Sequence, residues 1–176
     1  MAYVSPATGH NPTTGNVIPA SWGDDVNTAL DYIATNFPHC SIFESTAQAV
    51  TTGATGEDLT SNEERSDIGG MHSTASNTER ILIPAGEGGL YVCTATVAFA
   101  TNATGYRYVQ FLVNNTTTNH GQMVASSGAA NFTIVNAMRP LALNAGDYVT
   151  CRAVQTSGGD LDVTLVDFSV LWIATA

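Results

Sequence analysis

The stretch that decides the fold is Gly86–Phe99, GEGGLYVCTATVAF. After a glycine-rich entry the residues alternate. Tyr91, Cys93, Ala95, Val97 and Phe99 share one face, and Val92, Thr94, Thr96 and Ala98 share the other. A period of two sends successive side chains to opposite sides, so this is a strand with one face in a core. Two later stretches answer it. Leu141–Val154, LALNAGDYVTCRAV, turns at Asn-Ala-Gly-Asp and enters a strand at Tyr148. Asp167–Ala176 reads DFSVLWIATA.

That last stretch differs from the others. Phe168, Val170 and Trp172 alternate with Ser169, Leu171 and Ile173, so both of its faces are apolar. Such a strand is expected to be covered on both sides. A two-sheet sandwich has only one core, so the second face calls for another subunit or for the helix described next.

Outward from these strands, the front of the chain reads differently. Residues Met1–Pro19 carry Pro6, Pro12 and Pro19 among glycines and read as an extended arm. A helix is expected over Ser21–Phe37. Ser21 is its cap, Asp24 and Asp25 sit in its first turn, and Trp22, Val26, Ala29, Leu30, Ile33 and Phe37 form its apolar stripe. Pro38 stops it. The reading therefore divides the chain into an arm and helix, residues 1–38, and an all-β domain, residues 39–176.

Within the second part, strands are expected over His39–Thr52, with Ile42, Phe43, Ala47, Ala49 and Val50 as its apolar positions, and over Thr78–Pro84. Tyr106–Asn114 follows, with Val109, Phe111 and Val113 inward. Phe132–Met138 carries Phe132, Ile134 and Met138 on one face, and Leu141–Leu143 resumes after Pro140 bends the backbone. Tyr148–Gln155 leads through a hairpin turn at Ser157-Gly-Gly-Asp into Leu161–Leu165. The acid-rich segment Gly53–Gly70 reads as a long loop around one short strand, and Gly121–Gly128 as a loop or weak strand.

Composition narrows the function. The chain has 176 residues and 44% hydrophobic content, enough for one domain with a real core. Charged residues are only 11%, well below the roughly 25% usual in soluble domains. A surface so poor in charge suits burial against other subunits. The net charge is −10 and there is no lysine, so neither nucleic acid nor an anionic membrane is an expected partner. Three widely spaced cysteines, Cys40, Cys93 and Cys151, are expected as free thiols of a cytosolic product. Polar residues near Met1 argue against a secretion leader, and no apolar run approaches membrane length. The sequons at Asn102, Asn114, Asn115 and Asn131 then read as turn and strand residues.

Chemistry is not visible. His10, His39, His72 and His120 are scattered, with no pair at metal-ligand spacing and no CxxC. The acidic segment lacks the spacing of an EF-hand loop. Asp160 and Asp162 sit two apart on a strand start, which makes no catalytic cleft. No nucleophile elbow, phosphate loop or dinucleotide fingerprint occurs. An enzyme is not expected, nor a metal or cofactor.

Two resemblances enter here. Gly89-Leu-Tyr, then Leu143 with Gly146, Asp147 and Val149, then Phe168-Ser-Val-Leu, resemble the tumour-necrosis-factor and complement globular-head superfamily across roughly His39–Ala176. The resemblance implies a jelly-roll sandwich that assembles as a tight trimer. It places Phe168, Val170 and Trp172 in the core, and Ser169, Leu171 and Ile173 toward the threefold axis as trimer-interface residues. Separately, Gly15-Asn-Val-Ile-Pro-Ala-Ser-Trp-Gly, Asp67-Ile-Gly-Gly-Met-His-Ser, Arg80-Ile-Leu-Ile-Pro and Gly105-Tyr-Arg look like segments of bacteriophage virion proteins.

Together these give an expectation: a non-enzymatic homotrimer made in bacterial cytoplasm and carried on the outer surface of a virion. It would decorate a capsid or form a head fibre, bound to the major capsid protein or another virion protein through Val17, Ile18, Trp22 and Val26. The alternative is a tail-fibre tip recognising a host cell-surface glycan through the Thr/Asn-rich loop around Asn115–Ser127.

Overall fold

The computed structural model describes residues 20–128 and 130–175. The expected arm, with Val17 and Ile18, lies outside them. The chain divides into two compact units, Met1–Phe37 and Pro38–Ala176.

In the first unit, helix α1 spans Ala20–Thr35. It begins one residue ahead of Ser21, so Ser21 is a helical residue and not the cap. For the same reason the first turn holds no acidic side chain, and Asp24 and Asp25 fall beyond it. The expected stripe also needs correction. Leu30 is 57% exposed, whereas Tyr32, which the stripe omitted, is buried. Two residues apart on a helix of 3.6 residues per turn, these side chains point to nearly opposite sides and cannot share one stripe.

The second unit is built of antiparallel strands. In chain order they are β1 (His39–Glu44), β2 (Gln48–Val50), β3 (Gly53–Asp58), β4 (Glu63–Ile68), β5 (Arg80–Leu82), β6 (Gly89–Phe99), β7 (Tyr106–Val113), β8 (Thr116–Ala125), β9 (Thr133–Leu143), β10 (Tyr148–Gln155) and β11 (Leu161–Thr175). All but β3 form a large sheet, β4-β1-β11-β6-β9 with β2 beside β11, and a smaller one, β5-β10-β7-β8. The inner faces make one core. β6 contributes Tyr91, Cys93, Ala95, Val97 and Phe99 to it, as its alternation requires. Phe111 of β7 stacks on Phe168 of β11 with ring centroids 5.7 Å apart, joining the sheets.

Several boundaries differ from the sequence reading, each for a physical reason. His39–Thr52 is two strands, because the chain turns after Glu44. Its carboxylate Oε1 accepts the amides of Ser45 (3.0 Å) and Thr46 (2.7 Å), and Oε2 accepts that of Asn62 (3.2 Å). Ala47 and Ala49 are consequently exposed. Gly53–Gly70 holds two strands, not a loop around one. β4 is an edge strand in which Glu63, Glu64 and Arg65 are exposed, and charge is how an edge strand discourages further pairing. Charge also erases the alternation by which a strand is recognised.

Gly121–Gly128 belongs largely to the ten-residue β8, paired with β7 around a turn at Asn114 and Asn115. Both asparagines are left-handed, with φ of 51° and 59°. β9 runs straight through Pro140, which sits opposite Val92. Pro is tolerated there because β9 is an edge strand whose missing N–H breaks no ladder. Its buried positions are Thr133, Val135, Ala137, Leu141 and Leu143. The face carrying Ile134 and Met138 is the outer one, and Phe132 just before the strand is also exposed.

Candidate functional site

The outer face of the large sheet is the candidate site. Register brings its residues together from neighbouring strands. Leu171 of β11 lies beside Val92 of β6, and Ser169 beside Thr94. Thr94 lies beside Met138 of β9. On the other side, Ser169 meets Ser41 of β1, and Leu171 meets His39. Because the alternate residues on each strand fill the core, these side chains have only one direction left. Met138 stays 64% exposed, Ile173 47%, Ile134 45% and Leu171 41%. Leu90 adds to them at the end of β6. Apolar side chains spread contiguously over neighbouring strands mark an interaction surface, unlike the scattered exposed leucines of any protein.

The face is also hollowed. A depression of about 260 Å³ is lined by His39, Cys40, Ser41, Val92, Thr94, Ser169, Val170 and Leu171. Three of its polar side chains are engaged with neighbours. The Ser169 hydroxyl donates to Ser41 Oγ at 2.9 Å, and His39 Nε2 lies 2.7 Å from Ser66 Oγ. Charges stand at the border, not inside. Arg65 pairs with Asp167 at 3.0 Å and covers the Phe43 ring at 4.4 Å.

No protein-family profile matches the chain, and no curated protein matches it in sequence. Solved structures do match in shape. The globular domain of zebrafish complement 1qA protein superposes with a TM-score of 0.55 at 13% identity, over 79% of this chain and 99% of that one. The Eiger TNF structure from S. frugiperda gives 0.54 at 14% identity, over 80% of this chain and 95% of that one. The chain has a TNF-like jelly-roll fold. At these identities the likeness is one of fold.

Within this jelly roll the three candidate interface residues share the outer face. Ser169 is half-buried, while Leu171 and Ile173 are exposed; Phe168 and Val170 point into the core and Trp172 packs partly against it. Reading one strand at a time missed Leu90, Val92, Ile134 and Met138, which join the face only through register. Of the candidate attachment residues, Val17 and Ile18 lie outside the described residues, as does the side chain of Trp22. Val26 is half-buried on α1.

Other chemistry-bearing residues among those described sit in the core or hold turns. Cys40, Cys93 and Cys151 are free and buried. Burial pushes the Cys93 thiol up to about 12. Cys40 and Cys151 are raised as well, first by burial and then by neighbouring carboxylates. Thiols held this far from ionisation are poor nucleophiles. His72 places Nδ1 2.9 Å from Glu64 and Nε2 3.2 Å from the Thr78 carbonyl, within the β4–β5 connection. His10 and the His120 side chain lie outside the described residues.

Arg107 is fully buried, and burial lowers its pKa. Its guanidinium donates to the carbonyls of Thr104, Tyr106 and Asn102 at 3.0–3.1 Å, so it fastens a turn. Asn102 accepts the Thr104 amide, and Asn114 donates to Asp147, both turn roles. Asp160 and Asp162 are exposed. Among the described residues no three His, Cys, Asp or Glu side chains come together to hold a metal, and no helix is long and apolar enough to cross a membrane.

Proposed function

We propose that this protein is a non-enzymatic homotrimer that assembles through the outer face of its large sheet and serves as a virion surface protein. In this reading it decorates a bacteriophage capsid or forms a head fibre. The jelly roll is the projecting part, and residues 1–38 attach it to the major capsid protein or another virion protein. The observation that carries the assembly half is the exposed Leu90, Ile134, Met138, Leu171 and Ile173 on one sheet face. A surface of that composition is unfavourable in water unless a partner covers it. The threefold order rests on the fold shared with tumour-necrosis-factor and complement globular domains. The virion half rests on the phage-like segments around Gly15–Gly23, Asp67–Ser73 and Arg80–Pro84.

Removing Met1–Phe37 tests both halves. The shortened chain should remain a soluble trimer and vanish from particles purified from the lysate. Unchanged occupancy on particles would refute the attachment role, and a monomer at micromolar concentration would refute the trimer.

A further inference from the structure

We infer that His72 is a proton-operated latch: its imidazolium, bonded at once to Glu64 and to the Thr78 carbonyl, holds the β4–β5 connection closed, and loss of that proton loosens it. The device lies within one protomer and is independent of the assembly proposed above.

Valence supplies the first argument. The His72 side chain is 0% exposed, so its ring nitrogens must find their partners inside the protein. Nδ1 lies 2.9 Å from Glu64 Oε1, and Nε2 lies 3.2 Å from the Thr78 carbonyl oxygen. A carbonyl oxygen only accepts, and so does an ionised carboxylate. A neutral imidazole has one N–H and one lone pair, so it satisfies one contact and aims its lone pair at the oxygen of the other. The imidazolium donates to both.

The surroundings supply the second. Register sets Glu64 beside Ile42 and Asp67 beside Cys40, two core residues of β1. Both carboxylates of β4 therefore sit under the connection, with the buried Cys40 thiol close to them. Asp67 takes the amides of Met71 and His72 at 2.8 and 3.2 Å. From β5, Arg80 borders the same depression as His72, while Arg65 of β4 is turned away onto Asp167. Two carboxylates and one guanidinium around the ring favour its charged form.

The connection is also built to move as a piece. Positive φ angles flank it, 113° at Gly69 and 65° at Gly70 on one side and 52° at Asn77 on the other. Between them the ties are few. The Thr78 carbonyl also takes the Ser61 amide at 2.9 Å, and the Leu82 amide donates to the Met71 carbonyl at 2.7 Å. Met71 itself is 1% exposed in the core, so loosening the connection uncovers core surface. Because the closed form favours the protonated ring, its hold is complete in acid and is lost as pH rises through the ordinary histidine range of about 5–8.

The test is amide hydrogen exchange of the full chain, read by mass spectrometry at about pH 5.5 and about pH 8.5, with rates corrected for the intrinsic effect of pH. In the parent protein, protection of the peptide covering residues 69–82 should fall at least roughly tenfold at the higher pH, as loss of a charged hydrogen bond implies. A peptide from β6 should keep its protection. Glu64→Gln should abolish the difference. A carboxamide can donate to the bare Nδ1 while Nε2–H keeps the Thr78 carbonyl, so the neutral ring then fits. Equal protection of residues 69–82 at the two pH values in the parent would overturn the inference. So would a Glu64→Gln variant that loses protection as the parent does. Should that variant not fold, nitrogen chemical shifts of the His72 ring in the parent decide. Both ring nitrogens should carry protons while the connection is protected, and a neutral ring in a protected connection would overturn the inference.

Discussion

If the proposed trimer forms through this face, replacing Leu171 and Ile173 together with aspartate should convert it to monomer while leaving the jelly roll folded. Fully burying a leucine or isoleucine is worth about 1.5–3 kcal/mol. These two side chains are still 41% and 47% exposed in the isolated chain, so assembly has about 1 kcal/mol from each left to gain. The variant loses that and also carries two carboxylates per protomer into a dry contact, at several kcal/mol each when unpaired. The combined deficit is at least about 5 kcal/mol per contact, or roughly three to four powers of ten in dissociation constant. The monomer should tolerate the change because neither side chain belongs to the core. Sedimentation velocity reads the result directly, as the protomer is 18.3 kDa and the trimer 3 × 18.3 = 54.9 kDa. A double variant that sediments at the trimer mass beside a trimeric parent would show that this face does not make the contact.

Two further outcomes concern the scaffold. The Glu44 carboxyl is held below the usual carboxylate range, chiefly by the Thr46 amide. A group whose folded-state pKa is depressed adds stability above its unfolded value and loses it as pH falls through the folded one. Glu44→Gln should therefore cost about 1.5–3 kcal/mol at neutral pH, with the gap to the parent closing in acid; parallel stability–pH curves in chemical denaturation would refute the role given to the carboxylate. Gly105→Ala should lower the thermal midpoint, at a cost of about 1–3 kcal/mol for the strained backbone alone, since Gly105 has φ of +73° and an added Cβ would strike the Thr156 carbonyl. An unchanged midpoint would mean this turn can relax.

How much of this was legible in the sequence depends on where the information sat. β6, β7, β10 and β11 were readable because each has one face in the core, and alternation within a single strand reports that. β4 and much of β8 were not, because they are edges. Their stability comes from backbone pairing to a neighbour, and their side chains are chosen to face solvent. The Pro140 bend was misjudged for the same reason, since nothing local says that β9 has an unpaired side. The candidate site was half legible. Leu171 and Ile173 stood out because both faces of their strand were apolar. Met138 and Ile134 were visible as a face, but its outward direction depends on Val135 and Ala137 filling the core. The neighbourhood of Met138 and Leu171 is a fact of register across β9, β6 and β11.

What the scaffold does with its polar groups also bears on function. Gln155 is buried and donates to the carbonyls of Val50 and Gly159 while accepting the Ser157 amide. Arg152 forks onto Asp58 at 2.7 and 2.9 Å, holding β3 against β10. Asp67 accepts the amides of Met71 and His72, and Asp147 that of Asn144. A catalytic group needs to be oriented by the fold yet keep a free valence toward substrate. These groups instead direct their valences at backbone amides, carbonyls or each other, closing the turns of the sandwich. Among the described residues, the outer face of the large sheet exposes Leu90, Ile134, Met138, Leu171 and Ile173. Water opposes leaving such a surface bare, and the low charge of the chain does little to mask it. Contact with further copies of the chain, as proposed above, is one way to cover it.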